Sequence, residues 1–496
     1  MKKILKYAFL LLITLSSACN KDFLDRPPLS SLTAGTYPST AKEAISATNG
    51  IYNTLRVWQI NTGGFPLLDI MSDDAVKGSN PGDGTSVVPF DEFTFTATDG
   101  NIEHWYRTLY LGIRRAHLVL EQVPTISMDE TLKNRLLAEA RFLRAYFYSI
   151  LVRGFEDVPM VTSSDAPSGL AKSTGEQIYQ EIIFTDLEFA IENLPLKSDY
   201  SPDDAGRATK GAAQALLARL YLYRGDFGNV EKYCLQAINS GQYKLEIDFA
   251  DAFSVAGENG LESVFEIGAL PESSSGLGGN QYANTQGIRG TPNYGWGFNR
   301  PAYPWIIFMG SQDPRLDASV VFLNEILDGV VVLGDAATPD TTYTDQTNSV
   351  IKEIEVYNQK IYASGALVEA RWGHNRRIIR YADVLLMAAE ALNENGNQTD
   401  ALMYVNEVRR RARGGNNTIL PDIITTNQSQ LRLEIYNERK RELFMEGLRF
   451  WDLVRTNRAE AILSPLGFIK NKHEFFPIPQ SEIDISEGVI TQHPNW

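Results

Sequence analysis

The sequence predicts a mainly α-helical fold in which tetratricopeptide-like helical hairpins form a scaffold and a large irregular insertion interrupts it. Three observations support this prediction. Apolar residues recur at helical spacing over most of the chain. Two stretches, 216–238 and 385–408, follow the same hairpin pattern. Between them, residues 276–305 are dense in glycine, asparagine and aromatic residues, a composition that disfavours a long helix.

The N-terminus has the order of a bacterial lipoprotein signal. Lysines near the start are followed by an apolar run over residues 8–15, by small residues, and then by Cys19. The apolar run is shorter than the roughly 20 residues that span a bilayer. We therefore predict that residues 1–18 are a signal peptide and that Cys19 is lipidated and anchors the protein to the membrane. The alternative is an ordinary cleaved signal with an incidental cysteine.

Composition limits the classes of partner. The chain of 496 residues carries 61 acidic and 46 basic residues, a net charge of −15. This charge argues against nucleic acid and anionic membrane surfaces as partners. The only other cysteine, Cys234, falls on a core position of the first hairpin, so we expect a small buried thiol. If Cys19 carries lipid, no internal disulfide is possible.

The region after the signal predicts amphipathic helices over 41–58, 103–124 and 132–155, with a polar loop at 72–101. Residues 178–195 resemble an isolated second helix of a hairpin. We divide the chain into a helical region with the first hairpins (19–275), an irregular region that carries the ligand site (276–380), and a C-terminal region with further hairpins (381–496).

The two hairpins place small or apolar residues at matching positions. In each, one apolar face cannot be buried by the hairpin alone, so neighbouring hairpins are expected to stack. Ala218 and Ala389 are the small residues of the first helices, where we expect a close approach of two helices. The core positions are Leu217, Ala218, Tyr221, Val230, Cys234 and Ala237 in the first hairpin, and Leu385, Ala389, Leu392, Ala401, Val405 and Val408 in the second.

Enzyme motifs are scarce. The sequence has no His-Glu-x-x-His and no Gly-x-Ser-x-Gly motif, and its five histidines are scattered. The adjacent carboxylates in SDDA (72–75) do not specify the separation that a glycosidase needs, and an acidic turn would look the same. We expect no cofactor and no catalytic or metal-binding residue.

The glycine-rich segment suits a sugar. Flat aromatic rings stack on the apolar face of a pyranose, while amides and guanidinium groups bond its hydroxyls. The alternative is that these aromatic residues pin an irregular loop onto the helical body. The candidate residues are Tyr282, Tyr294, Trp296, Phe298 and Tyr303, with Asn280, Asn284, Asn293, Asn299, Arg289 and Arg300 beside them.

Several stretches together resemble the SusD/RagB family of Bacteroidetes surface lipoproteins, over nearly the whole chain. They are the lipoprotein signal, NKDFLD after its cysteine, AEARFLRAYFYSILVRGFEDVPMV (138–161), RATKGAAQALLARLYLYRGDF (207–227), NERKRELFMEGLRFWDLVRTNRA (437–459) and FFPIPQSEIDISEGVITQHPNW (475–496). The resemblance implies a helical scaffold and a non-enzymatic protein that captures an oligosaccharide and delivers it to a SusC-like TonB-dependent transporter. It also implies that Lys21 and Asp22 direct the lipoprotein to the outer face of the outer membrane.

The resemblance leaves the ligand open. Starch-binding members build part of an aromatic arc from the loop after the first helix, but between Trp58 and Trp105 this loop has phenylalanine and no tryptophan or tyrosine. This departure argues against starch as the ligand and leaves other polysaccharides, host glycans and peptides open. A glycosidase and a pure repeat scaffold for protein partners are the alternatives to a glycan-binding protein.

We predict that the segment 276–305 faces the loop 72–83 and forms the ligand site with it. Trp296 and Tyr294 are the main stacking candidates, with Tyr282 beside them. The residues expected to bond sugar hydroxyls are Asn299 and Arg300 from this segment, and Asp73 and Asn80 from the opposite loop.

Overall fold

The computed structural model describes residues 37–271, 279–335, 342–344, 350–352, 354–363 and 373–496, without the side chains of 62–67, 342–344 and 351–352. The predicted signal peptide, Cys19, Lys21 and Asp22 lie outside the described residues. Within these ranges, no helix combines the length and the apolar content that a membrane span requires.

Helices dominate the described chain. They are α1 (Ala41–Arg56), α2 (Phe65–Ile70), α3 (Val88–Asp91), α4 (Gly100–Gln122), α5 (Glu130–Phe155), α6 (Gly175–Ile178), α7 (Phe184–Asn193), α8 (Lys210–Arg224), α9 (Phe227–Asn239), α10 (Tyr282–Gln286), α11 (Tyr303–Met309), α12 (Tyr381–Glu394), α13 (Gln398–Ala412), α14 (Gln428–Glu442), α15 (Arg449–Arg455), α16 (Ala459–Leu463) and α17 (Gln480–Ile485). Two π-helical turns, Gln59–Gly64 and Tyr179–Ile183, precede α2 and α7.

The strands are short and pair in antiparallel twos. They are β1 (Ala75–Gly78), β2 (Val158–Pro159), β3 (Lys172–Ser173), β4 (Ser263–Ile267), β5 (Phe298–Pro301), β6 (Val320–Phe322), β7 (Ile326–Leu327), β8 (Val330–Val331), β9 (Thr342–Thr344), β10 (Val350–Lys352), β11 (Val356–Asn358) and β12 (Arg376–Arg380). The pairs are β1 with β5, β2 with β3, β4 with β12, β6 with β11, β7 with β8, and β9 with β10.

The predicted hairpins are present as α8–α9 and α12–α13, and they stack although they lie far apart in the sequence. Helix α9 of the first packs on α12 of the second, and a continuous row of packed helices leads from α1 through α4, α5, α7 and α8 to them. Ala218 and Ala389 are fully buried at these contacts. The prediction of a mainly helical, tetratricopeptide-like scaffold is therefore confirmed.

Local sequence explains the turn of the first hairpin. The side chain of Thr209 accepts a hydrogen bond from the backbone of Ala212 at the start of α8. Gly225 ends that helix with φ of 72°, a left-handed conformation that glycine adopts without steric cost. Asp226 then caps α9 by accepting from the backbone N–H of Asn229. Cys234 on α9 is completely buried, as expected, and burial raises the pKa of its thiol.

An ionic network joins the irregular region to the scaffold. Glu442, at the end of α14, accepts hydrogen bonds from Arg315 at 3.0 Å and from Arg380 at 3.0 Å, and it also pairs with Arg411. Arg315 lies between α11 and β6, and Arg380 ends β12. All four side chains are nearly inaccessible to solvent. Buried charges of this kind hold a seam in one arrangement because an unpaired partner is costly.

Candidate functional site

The loop after the first helices and the glycine-rich segment lie against each other. Strand β1 pairs with β5, with Val76 opposite Arg300 and Gly78 opposite Phe298. The backbone N–H of Ser79 donates to the carbonyl oxygen of Gly297 at 2.6 Å. The structure thus brings residues 72–83 next to residues 279–305, the described part of the predicted site segment.

Backbone contacts fold the glycine-rich segment back on itself. The carbonyl oxygen of Asn284 accepts from the N–H of Trp296 at 2.9 Å, and that of Ile288 accepts from the N–H of Gly295 at 2.8 Å. A Cβ atom on Gly295 would lie 2.5 Å from the Asn284 oxygen, so a larger residue cannot adopt this arrangement. The doubled-back chain holds Trp296 at the surface.

Two tryptophan rings form an exposed aromatic surface at this place. Trp58 follows the C-cap of α1, and its ring centroid lies 5.9 Å from that of Trp296, with the ring planes at 50°. Trp58 is 42% exposed and Trp296 is 36% exposed. Tryptophan is usually well buried, so two neighbouring exposed rings from distant parts of the chain are typical of a binding surface. This geometry suits stacking on a sugar ring.

Two family models match the chain in regions that together take in most of it. The model described as "SusD family" matches residues 261–496, and the model described as "Starch-binding associating with outer membrane" matches residues 70–222. The chain belongs to the SusD family.

Relatives and solved structures are similar over nearly the whole length. SusD-like protein P2 of Formosa agariphila is 28% identical, and the alignment covers 99% of both chains. Starch-binding protein SusD of Bacteroides thetaiotaomicron is 28% identical over 71% of this chain and 69% of its own. Among solved structures, a laminarin-binding SusD-like protein has a TM-score of 0.76 at 27% identity, covering 92% of this chain and all of its own. Surface glycan-binding protein A of Bacteroides thetaiotaomicron with laminarihexaose has a TM-score of 0.77 at 25% identity, with the same coverage.

In this SusD-family protein, Asp73 is tied to the scaffold. Its carboxylate accepts from Nε of Arg449 at 2.6 Å and from Nζ of Lys440 at 2.6 Å. Burial alone would raise the pKa of Asp73, but the two cations outweigh it and hold that pKa below the usual range. The ionised carboxylate therefore anchors the loop 72–83 to α14 and α15.

Asn80 lies at the partly exposed tip of the same loop. The ammonium group of Lys77 donates to its backbone carbonyl at 3.0 Å and to that of Asp83 at 2.8 Å, which holds the tip in a compact turn. Among the described residues, the side-chain amide of Asn80 has no hydrogen-bond partner. Of the four residues predicted to bond sugar hydroxyls, Asn80 is therefore the one whose side chain remains available to a ligand.

Asn299 and Arg300 lie beneath the surface. Asn299 is 1% exposed, has φ of 52°, and donates to Asp69 at 3.1 Å and to Gln286 at 2.9 Å. Burial raises the pKa of Asp69 to about 7 despite the hydrogen bond from Asn299. Arg300 is also buried, and its side chain packs over Gly78. Both residues belong to β5, and their side chains are buried in this structure.

Tyr282 and Tyr294 are buried in small clusters of the irregular region. The hydroxyl of Tyr294 donates to Asp328 at 3.1 Å, and its ring lies 6.0 Å from that of Tyr362. The ring of Tyr282 lies 6.2 Å from that of His374. These two tyrosines pin the loop in this structure, which corresponds to the alternative weighed from the sequence.

Sequence reasoning missed Trp58. It stands at the end of a predicted amphipathic helix, where an aromatic residue commonly packs into the core. The one indication that Trp58 could be exposed was its position just past the last helical turn, because a side chain there need not point to the buried side of the helix. Nothing in the sequence near Trp58 indicated that its neighbour would be Trp296.

Proposed function

We propose that this protein captures a glycan chain at the cell surface by stacking sugar rings on Trp58 and Trp296. The observation that carries the proposal is the exposed pair of rings, 5.9 Å apart, contributed by two distant segments. Stacking on aromatic rings needs a fixed platform, because a side chain ordered only on binding would lose conformational entropy. The backbone bonds around Gly295 and the β1–β5 pairing provide that platform.

Polar groups near the rings would fix the orientation of the sugar. The open side chain of Asn80 offers amide donors and an acceptor for hydroxyl groups. Arg289, beside it, donates to Oγ of Ser79 at 2.7 Å and also pairs with Asp83. A platform with few polar contacts supports weak, reversible binding, which suits a protein that must release its cargo.

Neutral glucose polymers are the ligands to test first. A laminarin-binding protein, a laminarihexaose complex and a starch-binding protein are among the similar proteins. The net charge of −15 also disfavours acidic polysaccharides, because like charges repel over the distances of capture. We therefore propose a neutral glycan as the ligand.

Capture without cleavage at the outer membrane completes the proposal. The matching model that is described as associating with the outer membrane supports this location, and lipidation at Cys19 would anchor the chain there. Delivery to a SusC-like TonB-dependent transporter is the step that follows capture. Asp73, within the site loop, and Asp69, just before it, are occupied by Arg449, Lys440 and Asn299. This pairing favours a structural role for them over catalysis.

Calorimetry with laminarin, starch and cellulose oligosaccharides tests the proposal. Trp58→Ala and Trp296→Ala should each lower affinity at least about fivefold, which corresponds to a loss of about 1–3 kcal/mol per stacked ring. Trp296→Phe keeps a flat ring and should retain most of the binding. All three variants should melt close to the wild type, because both side chains are exposed.

Two results would contradict this function. The first is binding of a glycan with equal affinity by the wild type and by both alanine variants. The second is release of reducing sugar by the pure wild-type protein at a rate abolished in a carboxylate variant, which would establish a glycosidase.

A further inference from the structure

A separate cleft of about 240 Å³ lies beside the exposed face of α1. Its three walls are the face of α1, the segment 203–207 that leads into α8, and the end of β4 with the following glycine, Gly268. On the α1 side, the lining ends at Arg56, two residues before Trp58. Along the chain, the cleft and the tryptophan surface are therefore separated by one residue, Val57, whose backbone is extended.

The α1 wall is a row of polar side chains. Asn49, Asn53 and Arg56 are spaced by four and three positions and share one face of the helix. The row extends about 10 Å along the helix axis at 1.5 Å per residue. Arg56 donates to the amide oxygen of Asn53. In the part of the chain that the structure describes, the amide nitrogen of Asn53 has no partner, so it is open as a donor.

The opposite wall is preformed and carries acceptors. Arg207 donates to Glu139 at 2.9 Å and to Asn49 at 2.9 Å, and its Nε donates to Asp204 at 2.5 Å. These bonds hold the segment 203–207 against α1 before any ligand arrives. Next to Asp204, the carboxylate of Asp203 is exposed and forms no hydrogen bond within the described residues.

Donors on one wall and an acceptor on the other match a chain of hydroxyl-bearing rings. An apolar ligand would leave these groups unpaired, and a strongly charged ligand would meet both signs. We propose that the cleft is an extension of the tryptophan site that holds the sugars adjacent to the one stacked on Trp58. It makes the protein selective for linear oligosaccharides longer than a disaccharide. This inference rests on the proposed function.

Chain-length dependence of binding tests the extension. The probes are the disaccharide (biose) and the hexasaccharide (hexaose) of the laminarin, starch and cellulose series. For the series that binds, the wild type should prefer the hexaose by about tenfold or more. The double variant Asn53→Ala/Arg56→Ala should lose about fivefold to tenfold for the hexaose and nothing for the biose. Asp203→Asn, on the opposite wall, should lower hexaose affinity in the same selective way.

Lys42→Ala is the matched control, since it removes one exposed cation from the same helix about 20 Å from Arg56. It should leave both affinities unchanged. Unchanged hexaose affinity in the double variant, or equal losses for biose and hexaose, would overturn the extension while leaving the tryptophan site intact. Absence of binding by every probe, or binding indifferent to Trp58→Ala, would overturn the proposed function and the extension together.

Discussion

The stacked hairpins α8–α9 and α12–α13 and the loop 284–297 are held in place by different interactions. In the hairpins, buried residues repeat at helical spacing, and small residues such as Ala218 and Ala389 allow close packing. In the loop, the position of Trp296 depends on a few backbone hydrogen bonds and on glycines at crowded points such as Gly295. Stability therefore resides mainly in the scaffold and recognition in the loop, so mutations should separate the two properties.

The largest effect is expected at the ionic network of Glu442, which joins the irregular region to the scaffold. Glu442→Gln leaves three buried arginines without their shared anion and should destabilise the protein by about 3–5 kcal/mol in urea unfolding. The matched control is Glu460→Gln, whose partner Lys470 is at the surface, and it should change stability by less than about 0.5 kcal/mol. Equal effects of the two variants would show that the buried network does not hold the seam.

The same carboxylate predicts a pH dependence. Burial would raise the pKa of Glu442, but Arg411, Arg380 and Arg315 outweigh it and hold that pKa well below the usual range. Because the pKa of Glu442 is lower in the folded protein than in the unfolded chain, its ionised carboxylate stabilises the fold. This stabilisation is complete above the unfolded-state pKa of about 4.3 and is lost progressively as the pH falls below that value. The stability difference between the wild type and Glu442→Gln should therefore shrink below about pH 4. A constant difference down to pH 3 would contradict this assignment.

Within the scaffold, Ala218→Leu should overpack the hairpin and cost about 1–3 kcal/mol. Ala389→Leu occupies the equivalent position in the second hairpin and should cost a similar amount, as measured by thermal melts. Glycan binding should persist in both variants below their melting temperatures. A wild-type melting temperature in either variant would show that the close helix approach is placed at the wrong residue.

Cys234→Ser should have a smaller effect of about 1 kcal/mol, because a hydroxyl replaces a buried thiol in an apolar contact between helices. Cys234→Ala is the control that removes the sulfur without adding a polar group. Chemical unfolding should rank the serine variant at or below the alanine variant. The reverse order would indicate a hydrogen-bond acceptor for the serine in that contact.

The smallest change in stability is expected from Gly295→Ala, although its effect on binding should be large. The added Cβ would displace the Asn284 carbonyl and move Trp296, while the scaffold stays folded. Gly50→Ala, in the middle of α1 with no atom near its added Cβ, is the matched control and should stabilise the protein by about 0.5–1 kcal/mol. Full glycan binding by Gly295→Ala would show that the loop does not position the ring.

The sequence predicted the scaffold well because helical periodicity is local. The hairpin turn at Gly225, the buried positions of Ala218 and Cys234, and the return of helix at Tyr381 all follow from spacing within a few residues. The stretches SVVFL (319–323) and GVVVL (329–333), rich in β-branched residues, form β6 and β8. Each of these features depends on neighbours in the chain.

The candidate site was predicted less completely because it depends on contacts between distant residues. The facing of 72–83 and 276–305 was expected, and β1 pairs with β5 there. The partners of Asp73, which are Arg449 and Lys440, come from the opposite end of the chain. A glycine-rich segment also has no periodicity to show which aromatic rings face inward, so Tyr282 and Tyr294 could not be distinguished from Trp296.

A crystal structure of the protein with laminarihexaose, or with whichever hexaose binds in calorimetry, tests the central claim most directly. Sugar rings are expected to stack on Trp58 and Trp296, while the scaffold helices keep their positions. A glycan bound elsewhere, such as in the groove lined by Tyr179, Tyr223 and Phe475, with both tryptophans free of sugar, would contradict it.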